Sequence, residues 1–336
     1  MLMPTNILIS VLLPVYNGMP FLSAAVESIL NQSFNNFELI VINNGSNDDT
    51  ENYLNSLTDA RIKVITTDNI GLIAALNLGM HHCQGKYIAR MDADDVCDVQ
   101  RLQKQLDVLE NNQRIGVVCS DIVKIDAENR VIGHEHAVIS NNKQLLKQLC
   151  FQKSAKPIIH PSVMLRTELL QRNAGYRNYQ AAEDRDLWLR LSNQCDFYRI
   201  PAPLLYYRVT GTSVSRKNRL IQKNNSLLAV LNYHVNSQLG IDMYVSSPML
   251  WRDMQRQLYR YARQQSFSVA AFEDFKTFIS LKAYFNAFVS LYKNKQYINL
   301  HFLPFFRAGR DNQFLIKNLK IIIELYKLKK HFLIEF

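Results

Sequence analysis

"GKYIARMDADDV", residues 85–96, joins a short apolar run to three aspartates within four positions. Like charges this close repel, and each is costly to desolvate. Either water solvates them at a surface turn, or something positive sits among them. The apolar part reads as a buried strand, and two earlier stretches repeat its pattern. "ILISVLLPVY" (7–16) turns polar at Asn17–Gly18, and "FELIVI" (37–42) gives way to "NNGSNDDT". Near-continuous Val, Ile and Leu runs separated by helical stretches predict an α/β fold, a mostly parallel sheet with helices on both faces. The separators fit. Phe21, Ala25 or Val26, and Ile29 recur at helical spacing, as do Leu102, Leu106 and Leu109. Shorter apolar runs at 62–65 and 115–119 supply further strands.

In such sheets, ligands bind beyond the carboxyl ends of the strands, where all three polar breaks fall. No G-x-G-x-x-G or G-x-x-x-x-G-K-[ST] pattern occurs, so no glycine-rich loop cradles a phosphate. A cation held by the aspartates would then neutralise a nucleotide, and magnesium and manganese prefer oxygen ligands. If the segment stays extended, Asp92 and Asp94 project to one side and share an ion, while Asp95 points away. Asp98 reads as a cap for a helix starting near Val99. For Asp95, cap and site both stand.

Charge is unevenly placed. Residues 1–215 carry 20 Lys and Arg against 22 Asp and Glu, for −2, whereas residues 216–336 carry 19 against 7, for +12. An anionic partner, nucleic acid or membrane lipid, would therefore meet the C-terminal third alone. The five cysteines are odd in number, with no Cys-x-x-Cys pair, which favours a reducing compartment and argues against structural zinc. The opening run lacks a basic leader and is broken by Pro14, so it reads as a strand and not a signal peptide. No apolar stretch reaches the roughly 18 residues a membrane span needs.

"SVLLPVYNG", "FELIVINNGS", "NIGLIAALNLGM", "GKYIARMDADD" and "AAEDRDLWLRL" together resemble family 2 glycosyltransferases of the GT-A fold, over roughly residues 7–215. The likeness is to bacterial members that build lipopolysaccharide, capsule and other surface glycans. It implies a donor-binding half (1–98), an acceptor half (99–215) and a nucleotide-sugar donor, usually a UDP-sugar. Mn²⁺ or Mg²⁺ would be held by Asp92 and Asp94, with Asp94 the direct ligand and Asp92 near the ribose or metal. Pro14, Tyr16 and Asn17 would line the nucleoside pocket, with Gly71, Asn77 and Arg208 also on the donor. Asn44 stands where many relatives have an aspartate that accepts from uracil; its amide oxygen still accepts, and thymidine donors stay open. Leu76 replaces a frequent arginine, and Thr210 a frequent histidine. Arg208, Ser213 and Ser215 then remain as phosphate donors, with an ordinary ion pair the alternative for Arg208.

The same resemblance makes Asp184 the general base, with Glu183 the runner-up, in a single displacement with inversion. Without it, "QAAEDRDLWLRLSNQ" (180–194) reads as a helix with acids in its first turn and an apolar stripe of Leu187, Trp188 and Leu191. His160 is an acceptor contact or a structural histidine. "GHEH" (133–136) reads as a turn with exposed histidines, ahead of a metal-binding strand. Residues 216–336 look mainly helical, and "QFLIKNLKIIIELYKLKKHFLIEF" (313–336) fits a helix on an anionic bilayer or one packed on the catalytic domain. A glycan or lipid-linked glycan acceptor and a cytoplasmic location, peripheral at the inner membrane, follow from this reading. Its rivals are a nucleotidyltransferase, which lacks its usual glycine-rich loop here, and a nucleic-acid-binding protein, whose phosphates the acidic rim would repel.

Overall fold

The structure is a computed structural model that describes residues 7–136, 139, 141–151, 158–210, 219–240, 242–246 and 251–252. The chain divides into two units, Met1–Val230 and Leu231–Phe336, the division falling inside one helix.

In the first unit the expected strands form. They are β1 (Ile9–Val15), β2 (Phe37–Asn44), β3 (Ile62–Thr67) and β4 (Tyr87–Arg90), all mutually parallel in the order β3-β2-β1-β4. Every residue of β1, β2 and β4 is buried, which is why these strands read as unbroken apolar runs and not as alternation. Helices α1 (Leu22–Leu30), α2 (Thr50–Asn55) and α3 (Leu72–His82) connect them. Helix α1 buries Leu22, Ala25, Val26 and Ile29, the stripe its spacing predicts. Helix α3 lies so close to the sheet at Gly79 that a Cβ there would run into Leu12 Cδ1 and meet Ile42 Cγ1 at 3.0 Å.

Beyond β4 the sheet becomes mixed. The remaining strands are β5 (Val96–Cys97), β6 (Ile115–Ile125), β7 (Val131–Glu135), β8 (Met164–Arg166) and β9 (Asp196–Arg208). β8 inserts antiparallel between β4 and β6, β9 runs parallel to β6, and β5 pairs antiparallel with β9. β6 is long enough to change partners on one side: Val117 and Val118 pair with β8, and Ile122–Ile125 pair with β7. That pairing corrects the reading of residues 133–136 as a turn, since His134 sits in β7 and ladder bonds to β6 hold it extended. Helix α4 (Arg101–Asn111) buries Leu102, Leu106 and Leu109. Helices α5 (Asn142–Phe151), α6 (Thr167–Arg172) and α7 (Glu183–Leu191) complete the unit before α8 (Arg219–Leu239), within which the division falls.

In the second unit, α9 (Met243–Ser246) follows α8; Asn232 Nδ2 donates to Asp242 Oδ1 at 3.0 Å, and the Tyr244 and Trp251 rings meet edge to face. The basic segment 313–336 lies outside the described residues, as do Ser213 and Ser215. No helix among the described residues is long and apolar enough to cross a membrane. All five cysteines are free thiols.

Candidate active site

The acidic turn is built where β4 ends. The chain does not stay extended there, because Ala93 and Asp94 form a turn that brings the chain round to β5. Strand alternation therefore fails, and Asp95 swings in beside its neighbours instead of away from them. One carboxylate oxygen from each of Asp92, Asp94 and Asp95 lies within 4.8 Å of the others. Asp95 is fully buried; its Oδ1 accepts the Arg208 N–H at 2.8 Å and its Oδ2 finds no partner. It caps no helix. Nor does Asp98 cap a helix at Val99 as expected: its Oδ1 accepts the Gln100 N–H at 2.9 Å, and α4 starts at Arg101 with Gln100 in the cap position and no side-chain cap bond. Burial, then the charge of Asp92, pushes the Asp94 carboxyl up to about 6, and the same two causes hold Asp95 well above the usual range. A set of oxygens with one buried and orphaned suits a hard divalent cation.

Arginines hold this turn from behind. Arg208, at the end of β9, donates from Nε to Asp94 O at 2.7 Å, from Nη1 to Asp126 O at 2.7 Å and from Nη2 to Asn129 Oδ1 at 2.7 Å. Its guanidinium carbon stands 4.5 Å from the Phe21 ring centroid. This corrects its expected part as a phosphate donor: the fork is buried and committed to two main-chain carbonyls and the Asn129 side chain. Arg101 is likewise buried, and its Nη2 donates to Arg90 O at 2.7 Å. Arg90 itself was missed in the sequence, although a charged residue inside an apolar strand run is a readable signal; its Nη1 lies 2.6 Å from Asp92 Oδ1.

The rims of β1, β2 and β3 carry the other donor-side residues. Pro14 is buried in β1 opposite Ile42, and Tyr16 just beyond it is 50% exposed. Asn17 takes a positive φ of 52°, its N–H donates to Ser46 Oγ and its Oδ1 accepts the Asn47 N–H at 2.8 Å, so it ties the two loops together. Asn44 Oδ1 accepts the Ile70 N–H at 2.9 Å, which fixes which way its amide points. Gly71, with φ 84°, leads into α3, and a Cβ there would meet only open space. Leu76 faces the core and is fully buried. Asn77 is half-buried; its Nδ2 donates to Tyr176 O and its Oδ1 accepts the Tyr176 N–H, both at 2.8 Å, so the amide braces the Tyr176 main chain.

Glu183 and Asp184 open α7, whose Leu187, Trp188 and Leu191 are buried as the stripe requires. The helix start draws acids to this place, yet the two differ. Glu183 is buried, with Oε2 unpartnered, and burial followed by the charge of Asp184 lifts its carboxyl to about 7. Asp92 adds to that rise and Arg90 opposes it, so Glu183 and the acidic turn share one electrostatic neighbourhood. Asp184 is half-buried and its Oδ1 accepts the Arg185 N–H at 2.7 Å. His160 lies beneath them, its Nε2 2.9 Å from Tyr176 Oη and its ring against Trp188. It is buried, with Tyr176 and Trp188 packed against its ring.

Residues 10–173 match the family model described as glycosyl transferase family 2. An uncharacterized glycosyltransferase of Haemophilus influenzae is 31% identical over 255 residues, covering 71% of this chain and 77% of that protein. The chain belongs to glycosyltransferase family 2. The Escherichia coli O-antigen biosynthesis glycosyltransferase WbnJ is 32% identical over 215 residues, 62% of this family 2 chain and 82% of that protein. A Rickettsia bellii glycosyltransferase is also 32% identical, but the alignment covers only 32% of its length. Among solved structures, Staphylococcus aureus TarS 1–349 in complex with UDP-GlcNAc superposes with a TM-score of 0.51 at 16% identity, over 87% of this chain and 93% of that one. The likeness confirms the GT-A fold for this family 2 member.

Proposed function

We propose that this family 2 glycosyltransferase moves a sugar, a hexose or N-acetylhexosamine, from a UDP donor to a hydroxyl of a growing surface glycan, with inversion at the anomeric carbon. The convergence of Asp92, Asp94 and Asp95 at the carboxyl end of β4 carries this reading. Relatives support it: WbnJ is named for O-antigen biosynthesis, and the TarS structure contains UDP-GlcNAc. Asp94 and Asp92 would hold Mn²⁺ or Mg²⁺, with Asp95 buried behind them. When bound, that ion neutralises charge on the departing diphosphate, an effect worth several kcal/mol.

The chain's own residues supply the rest. Tyr16 offers a half-exposed ring for the base, and Asn44, whose buried amide oxygen accepts the Ile70 N–H, braces the loop at the nucleoside end. The acceptor hydroxyl attacks C1 as the bond from C1 to the diphosphate oxygen breaks, and the Asp184 carboxylate takes the hydroxyl proton. General-base help of this kind contributes roughly 10²–10⁴-fold. Glu183, pushed up to about 7 by burial and then by the charge of Asp184, is largely protonated below neutrality. Residues 216–336, with +12 of net charge, would lie on the anionic face of the membrane that carries a lipid-linked acceptor.

Thermal unfolding with a panel of nucleoside diphosphate sugars tests this, each with MnCl₂ or with EDTA. A UDP-sugar should raise the midpoint in Mn²⁺ and much less in EDTA. Equal shifts in both would remove the cation, and a shift from GDP- or dTDP-sugars alone would remove the uridine donor.

A further inference from the structure

Arg90 closes β4, and its main chain is fixed on both sides: its N–H donates to Val163 O at 2.9 Å and its carbonyl accepts from Arg101 Nη2. Its side chain is only 5% exposed. A buried guanidinium normally spends its five N–H groups on well-aligned acceptors. Here neither Nε nor Nη1 has an acceptor in hydrogen-bonding geometry among the described residues. What Nη1 does have is the Asp92 carboxylate at 2.6 Å, a close ion pair. One buried cation thus stands directly against the acidic turn after β4.

We propose that Arg90 is a positioning residue that serves as the built-in counter-charge of this site, standing in for the divalent cation when none is bound and setting how tightly one binds. The proposal rests on the cation reading given above. Three carboxyl groups gathered within 4.8 Å, one of them fully buried, repel one another when ionised if nothing offsets them. A fixed positive charge removes that cost in the empty enzyme. It also opposes an incoming dication, so the affinity of the site stays moderate. A guanidinium placed only for packing would have neither effect.

The test is thermal unfolding of the full chain, and Mn²⁺ calorimetry, for wild type, Arg90→Met, Arg90→Lys and the double variant Arg90→Met/Asp92→Asn. In EDTA, Arg90→Met should lose about 10 °C, the penalty of stripping a buried charge of its partner. Saturating Mn²⁺ should restore at least half of that loss, and Mn²⁺ should bind Arg90→Met roughly tenfold more tightly than wild type. Arg90→Lys keeps the charge and should respond as wild type does. The double variant, with one acid fewer, should regain stability in EDTA without any metal. Loss of the same midpoint in Mn²⁺ and EDTA, with no rescue by Asp92→Asn, would reduce Arg90 to packing and overturn the proposal. So would an Arg90→Met chain that stays unfolded under every condition. If wild type binds no Mn²⁺ but the double variant is still rescued, the cation reading fails and the counter-charge stands.

Discussion

The turn after β4 and the first turn of α7 are both acidic, and the protein treats them in opposite ways. At the turn, Asp92, Asp94 and Asp95 converge within 4.8 Å and are gripped through charge and main chain by Arg90 and Arg208. At the helix, Glu183 and Asp184 are neighbours in sequence but split in environment: one is buried with an orphan oxygen, the other half-buried and bonded to the next N–H. Convergence makes a binding site for positive charge. Divergence leaves one carboxyl buried and raised by its burial and the other within reach of solvent. The same residue types do different chemistry because one group is clamped together and the other pulled apart.

The largest expected effect strikes both regions at the reacting atoms. Asp94→Ala and Asp184→Asn should each lower kcat/KM for transfer by about 10²–10⁴-fold while the fold persists, as checked by circular dichroism beside a radiolabelled-sugar assay. Wild-type turnover in purified Asp184→Asn would end its assignment as base. Next in size is the clamp. Arg208→Met removes donors from Asp94 O, Asp126 O and Asn129 Oδ1 and should cost about 3–5 kcal/mol in urea unfolding. A loss under about 1 kcal/mol would show that the turn holds itself.

The smallest effect separates the two acids of α7. Glu183 sits at about 7 in the folded chain against an unfolded value of 4.5, so the native state binds the extra proton. Stability it contributes is present below about 4.5 and is lost as pH rises toward 7. Glu183→Gln should flatten the fall in unfolding free energy between pH 5 and 7, measured by urea titration. An unchanged slope would mean that the carboxyl ionises freely.

How much of this could be read along the chain depends on the distance over which each feature is decided. The runs at 7–16, 37–42 and 86–91 announced β1, β2 and β4 because a strand buried on both faces leaves a continuous apolar mark. Stripes in α1, α4 and α7 were equally plain. The antiparallel insertion of β8 left no such mark, since a three-residue strand is too short to show a period. Asp95 was expected to turn away because alternation was assumed past the point where the strand stops. Histidines 134 and 136 looked like a turn because edge strands tolerate polar residues.

Taken alone, the sequence determined where the parallel strands run and where the acids gather, for both follow from neighbours a few positions apart. Only the tertiary structure decided which polar groups remain for chemistry. Asp95 meets the Arg208 N–H across 113 positions, and Asn77 meets Tyr176 across 99. Hydrogen-bond and charge satisfaction is settled by whatever the fold brings alongside, and no local pattern records that partner. Asn77, His160 and Arg208 were thus drawn into the frame, while Arg90, unremarked in the chain, came to face the acids.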